Sequence, residues 1–361
     1  MFHDMMKSSM RTTLATFGIT AMGLAVAALP QTVQAADPSW MDKGLLAKAK
    51  KEGGNLVVYG SMNEREALPL WKLFDTATGL KTVYVRASDV KLMARITVET
   101  RAGKSGWDLL QTTAVHKLPK KWVAQYTPAL AKEIPAIAKA KDQRWHGVYA
   151  NYNSPAFNTA KVKRADLPKT YEDFLKHPEW KGRIAVDKGD NEWLKAIAVH
   201  YGAKKGEKLM RDIKNQLAVK VTRGHGALAR NTASGEHLIS LNNYVNLTIR
   251  TKLKGNPIDW WVMDPVAVFY GQVGISSSAP NKSAARLGAN YLLSKEAQTQ
   301  LAKSGRIPTR TDVTPNPSNV LDIINKRKVI PVIMSGKEDK KWNKKFKKIF
   351  GKGPKKRKRK K

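Results

Sequence analysis

Residues 53–63 run GGNLVVYGSMN, and their reading decides the fold. Leu56-Val57-Val58-Tyr59 is a short unbroken apolar run between Gly53-Gly54 and Gly60-Ser61, the pattern of a strand buried on both faces. Asn63-Glu64-Arg65-Glu66 then opens a helix whose apolar positions include Leu68, Leu70, Trp71 and Phe74, and Thr78-Gly79 marks its end. A strand over Lys81–Arg86 follows. It leads through Ser88-Asp89 into a helix carrying Leu92, Met93, Ile96 and Val98, and Asp108–Gln111 is a third strand ending in Thr112-Thr113. Strand, helix, strand, helix, strand at these lengths implies right-handed parallel crossovers, hence an α/β lobe.

Downstream, Gly147–Asn158 (GVYANYNSPAFN) lacks a helical period and reads as an extended crossing out of this lobe. A second α/β pattern begins at Arg183–Asp187. It has helices near 191–201 and 204–216, strands at 219–223 and 237–241, a helix to Ala233 after the Gly224-His225-Gly226 turn, and a helix from Asn243 to Leu253. Asp259–Met263, before Pro265, reads as the return crossing, after which an apolar strand and helices near 281–293 and 295–303 rejoin the first lobe. The expected organisation is a signal segment at 1–35, first lobe at 36–150, second lobe at 151–264, return to the first lobe at 265–336, and a basic carboxyl segment at 337–361.

The amino terminus fixes the expected compartment. Lys7 and Arg11 precede an apolar stretch over Leu14–Leu29, Pro30 ends it, and Val33-Gln34-Ala35 offers a cleavage site for a secretory signal. About 16 apolar residues fall short of the ~20 that span a bilayer. Export to the periplasm, with a mature chain of about 325 residues, is the expectation. Of the 361 residues, 42% are hydrophobic and none is cysteine, which excludes disulfides, thiolate metal sites and cysteine nucleophiles.

The net charge is +36. Residues 337–361 hold fifteen Lys or Arg against Glu338 and Asp339, yet the body remains strongly basic and favours anionic ligands or surfaces. Trp342, Phe346, Ile349 and Phe350 at i, i+4, i+7 and i+8 make a basic amphipathic helix. Two uses stay open for it: attachment to an anionic membrane surface, or packing of its apolar face on the first lobe with the tail solvated.

Ligands of open α/β sheets bind beyond the carboxyl ends of the strands, where helix N-termini favour anions. The joints there carry Ser61 and Asn63, Ser88, Thr112 and Thr113 on the first lobe. Asp187 and Arg223 are expected to face them from the second, with Asn151 at the crossing. His225 in the Gly224-His225-Gly226 turn reads as a capping or exposed residue. No HExxH, GxSxG or P-loop is present, so the residues give no support to an enzyme.

LVVYGSMNEREA (56–67), SGWDLLQTT (105–113), GVYANYNSPAFNTAKV (147–162), LPKTYEDFLKHPEWKGRIAVD (167–187), SGEHLISLNNYVN (234–246) and the segment from Ile275 to Arg310 together resemble the bacterial extracellular solute-binding proteins, a family that includes ferric-iron-binding receptors. The resemblance implies a two-lobed α/β fold of the type II periplasmic-binding kind with a hinged cleft. It also implies a substrate-binding role in an ABC importer, delivery to an inner-membrane permease, action as a monomer and no cofactor. The iron-binding branch holds Fe3+ with neighbouring tyrosines; here Tyr244 stands where that pair begins and Val245 follows it. An anionic solute such as a phosphonate, organophosphate or carboxylate is therefore expected. The alternatives are ferric iron or an iron chelate, carried as transported ligand, and binding of anionic surfaces or nucleic acid through the tail.

Overall fold

Apolar strand runs punctuated by glycine and polar caps give, in the computed structural model, the element order that the sequence implies. The structure describes residues 38–351. The first lobe opens with α1 (Lys43–Lys51), β1 (Asn55–Gly60), α2 (Glu64–Thr78), β2 (Lys81–Arg86), α3 (Asp89–Arg101) and β3 (Leu109–Thr112). The crossing strand β4 (His146–Asn158) leads to β5 (Ile184–Asp187), α4 (Asn191–Tyr201), α5 (Ala203–Gln216), β6 (Lys220–Thr222), α6 (His225–Ala233), β7 (Ile239–Tyr244), α7 (Val245–Lys252) and β8 (Ile258–Trp260). The chain returns through β9 (Val266–Ile275), then α8 (Lys282–Leu292), α9 (Lys295–Lys303), β10 (Ile307–Pro308), α10 (Val320–Ile324), β11 (Val329–Pro331) and α11 (Gly336–Phe350).

The strands order as β2-β1-β3-β9-β4-β7-β5-β6. The three strands at each end pair in parallel, while β9 and β4 run antiparallel through the middle and join the two halves. Each half buries its own core, which is what makes two lobes. In the first, Trp40, Trp71, Phe74 and Tyr291 pack together, with Trp40 and Tyr291 edge to face at 5.0 Å. In the second, Phe157, Phe174, Trp193 and Trp261 do the same.

Two expectations are corrected. The return crossing is β9, not Asp259–Met263. All ten residues of β9 are buried, so it reads as a continuous apolar strand, whereas β8 adds only three residues beside β4. The carboxyl-terminal helix packs on the second lobe, not the first. Phe346, Ile349 and Phe350 complete that lobe's core, with the Phe350 ring 6.1 Å from that of Trp193. A full capping box of Ser335 and Glu338 starts this helix. The expected signal segment at 1–35 and residues 352–361 lie outside the described residues.

Candidate functional site

At the carboxyl ends of β5, β6 and β7 the second lobe gathers a buried polar cluster. Asp187 ends β5; its carboxylate accepts the Gly189 N–H at 2.7 Å and also the Gly224 N–H. Gly224 sits at φ 91°, a left-handed conformation that glycine adopts without strain, and this turn presents its amide to Asp187. His225 is the first residue of α6. Its Nε2 lies 2.9 Å from Asp190 Oδ1 and 3.8 Å from Asp187 Oδ1, and its ring stacks on Tyr244 at 3.5 Å between centroids. Asn153 Nδ2, from β4, donates to the other Asp190 oxygen at 2.7 Å.

Burial governs the protonation of this group. It pushes the Asp190 carboxyl up to about 6, against the pull of His225. Burial alone would strip the His225 proton, but Asp190 and Asp187 more than offset it and raise its affinity for the proton. Tyr244 is held neutral, first by burial and then by the carboxylates around it. Several buried polar atoms near Tyr244 have no partner: His225 Nδ1, Asn153 Oδ1, Asn243 Nδ2 and both amide atoms of Asn246. Such groups are costly in a folded protein unless something else meets them.

Across from this cluster, Thr112 and Thr113 donate their hydroxyls to Asp89, the first residue of α3. Neither Asn63 nor Ser88 caps its own helix with its side chain. Asn63 instead accepts from Arg86 Nη2 at 3.3 Å. Ser61 is half-buried and donates its N–H to Gln111 O at 3.0 Å.

Beside these groups a hollow of about 550 Å³ runs between the amino end of α2 and helices α6 and α7. Its charged lining is Arg65, Arg86, Arg230, Arg250 and Lys254 against Glu64 alone. Below it, the buried Glu66 of α2 takes Arg306 through Nε at 3.1 Å and Nη2 at 2.6 Å, and also takes Arg250 of α7. This carboxylate therefore ties the first lobe to the second.

Among the residues singled out from sequence, the structure brings Asp187 and Tyr244 together through His225. It joins Thr112 and Thr113 through Asp89, and sets Asn63 in the basic hollow. Asn151 is buried and accepts from Arg306 Nη1 at 3.3 Å, so it braces that guanidinium. Arg223 follows β6, the outermost strand, and lines a different hollow with Lys220, Glu236 and His237. Asp190, Arg86, Arg230 and Arg250 were not singled out, and His225, read as a capping or exposed residue, is largely buried. Asp190 and His225 do stand in the strand-to-helix turns that pointed to the cleft. The three arginines lie on a strand end and on outer helix faces, where sequence alone gives an arginine no direction.

Residues 109–331 match the model of the bacterial extracellular solute-binding protein family. The chain is 24% identical over 285 residues to iron uptake protein A1 of Synechocystis sp., spanning 72% of this chain and 76% of the relative. It is 25% identical over 181 residues to the Fe(3+)-binding periplasmic protein of Serratia marcescens, spanning 44% of this chain and 53% of that one. Among solved structures, the fructose-6-phosphate-bound periplasmic binding protein AfuA of Actinobacillus pleuropneumoniae superposes with a TM-score of 0.71 at 21% identity, covering 82% of this chain and 98% of its own. Iron-bound HitA of Pseudomonas aeruginosa gives 0.69 at 19% identity, covering 82% and 99%. These neighbours share the two-lobed fold. Proteins of this kind bind small ligands and deliver them to the permeases of ABC transporters. With its two α/β lobes and the family match over residues 109–331, the chain belongs to the bacterial extracellular solute-binding proteins.

Proposed function

We propose that this receptor captures a small anionic solute, an organophosphate, phosphonate or carboxylate, in the basic hollow between α2 and helices α6 and α7. The observation that carries the reading is the lining itself, five cationic side chains against one carboxylate. Arg86 and Arg230 are exposed there and have no carboxylate partner among the described residues, so both guanidinium groups can grip a phosphate or carboxylate. The polar atoms near Tyr244 that lack partners favour a ligand that also carries hydroxyl or amide groups. The chain then acts as a binding protein and performs no chemistry on its ligand.

Native mass spectrometry of protein purified from its own periplasm, with metal analysis of the same sample, identifies the ligand class. Titration calorimetry with that solute then tests the site. Arg86→Ala and Arg230→Ala should each weaken binding by about 1.5–3 kcal/mol, the range for hydrogen bonds to charged groups. A neutral co-purifying solute, or affinity unchanged in both variants, refutes the reading.

One observation favours ferric iron as a second reading. Donor atoms of Asp187, Asp190 and His225 all lie within 4.8 Å of one another, with Tyr244 against the imidazole. Hard cations take such oxygen-rich sets, and the carboxylates answer the shortage left by Tyr244 standing without a tyrosine neighbour. Under this reading stoichiometric iron accompanies the purified protein, and Asp190→Asn removes it.

A further inference from the structure

The carboxyl-terminal helix carries a surface that solute binding does not use. Its apolar side is spent on the second lobe, where Phe346, Ile349 and Phe350 are buried. Its two acidic residues are also engaged. Glu338 pairs with Lys195 at 3.1 Å, and Asp339 pairs with Lys117 at 2.6 Å. Lys337, Lys340, Lys341, Lys344, Lys347 and Lys348 remain, all exposed and none paired with a carboxylate among the described residues.

At 100° per residue these six positions fall within an arc of about 120°, and no other residue type stands inside it. The face is about 17 Å long from Lys337 to Lys348 at 1.5 Å per residue. Lysines at i,i+3 and i,i+4 along it repel one another and weaken the helix. No carboxylate among the described residues neutralises them. In sequence the same charge continues through Lys352 and then Lys355–Lys361, seven consecutive basic residues.

We propose that this lysine face seats the receptor on an anionic lipid bilayer by charge alone. Each lysine or arginine near such a surface adds attraction that fades within a Debye length. A straight helical face of compact ammonium groups suits a plane of headgroups. Nucleic-acid grooves and single strands are commonly met by arginine forks and stacked aromatic rings, and this face has neither. Trp342, Phe346 and Phe350 lie on the side turned to the lobe and are not available to enter the acyl region. The helix therefore lies on the membrane and does not insert. A receptor that serves a permease is thereby held near the plane where the permease sits.

Co-sedimentation of the chain from Ala36 onward with vesicles tests this. The probes are phosphatidylglycerol mixed into phosphatidylcholine, and phosphatidylcholine alone. Binding is expected only to the anionic vesicles, and it should vanish near ~0.5 M salt, where the Debye length shrinks to a few ångströms. The variant K337Q/K340Q/K344Q/K348Q should partition at least tenfold more weakly while its thermal midpoint stays equal or rises, because like-charge repulsion is removed. A chain ending at Gly351 should keep measurable binding. No binding to anionic vesicles at low salt overturns the proposal. So does parental binding by the lysine variant, or complete loss on removing residues 352–361, either of which puts the activity in the tail. Two further results overturn it: a rise in lipid-monolayer pressure, which reports insertion, and preference for a DNA duplex over the vesicles.

Discussion

Replacing Glu66 by glutamine should destabilise the protein by about 3–5 kcal/mol, the usual cost of breaking a buried ion pair from one side. Glu66 is 3% exposed, and its partner Arg306 is 8% exposed. Arg306 Nε and Nη2 both reach one Glu66 oxygen, Nη1 reaches Asn151, and the guanidinium lies 4.5 Å over the ring of Tyr149. The amide of glutamine keeps the shape but removes the charge, so Arg306 stays buried with only an amide oxygen and a ring for company. Arg250, the other partner, is a third exposed and can turn to water, so Arg250→Ala should lose no more than about 1 kcal/mol. The contrast between the two variants isolates the buried term. Urea unfolding followed by circular dichroism measures both, with the slope m checked for constancy. A Glu66→Gln loss below about 1 kcal/mol, or an equal loss in both variants, would show that Arg306 is solvated or finds another partner, and would refute the reasoning.

Stability should also fall with acid above the range where ordinary carboxylates titrate. Burial lowers His116 and His146 to about 4 each, below the 6.5 of the unfolded chain. Their contribution is whole above pH 6.5 and drains as pH falls toward 4, at about 1.4 kcal/mol per pH unit for each histidine. Asp190, raised to about 6, takes up a proton in the native state and opposes this in part from pH 6 to 5. Thermal midpoints across that range check the slope, and Asp190→Asn should steepen it, because the opposing proton is lost and His225 loses the carboxylate that holds its own. Phe346→Ala should lose about 3–5 kcal/mol, because a fully buried ring leaves a cavity between α11 and the second lobe. Stability unchanged in urea would mean that α11 does not belong to that core. Gly224→Ala should lose about 1 kcal/mol or more, since alanine meets strain at φ 91°. It should also disturb the amide held by Asp187, which a weakened titration with the identified solute would report.

The element order was legible because strand and helix periods differ and the caps are strong. Leu56–Tyr59, the Thr78-Gly79 stop and the unbroken extended run from Gly147 all stand where the sequence puts them. The return crossing was misplaced because Trp260-Trp261 looks like a strand core, while which of two apolar runs pairs along β4 is a matter of long-range register. Arg223 illustrates the limit for the site. A residue at a strand-to-helix joint is a sound candidate, but β6 lies at the sheet edge, and neighbour order is not written in local pattern. Arg86 and Arg230 come together only through the fold, so no spacing announces them. For the tail, amphipathic spacing identified the helix and its buried face, but the lobe that face meets depends on where the chain has travelled by residue 336.

The ladder between β4 and β9 bears on how such a receptor moves. Seven residue pairs, from His146 opposite Val273 to Asn153 opposite Ala267, join the lobes through backbone hydrogen bonds. A joint of this kind is a leaf spring, not a loose pin. Closure on a solute would bend this ribbon, and release would let it straighten, without breaking any rung. The amides of this ribbon should accordingly exchange with solvent equally slowly whether or not solute is held, while those of Gly224 and the amino end of α6 change with occupancy.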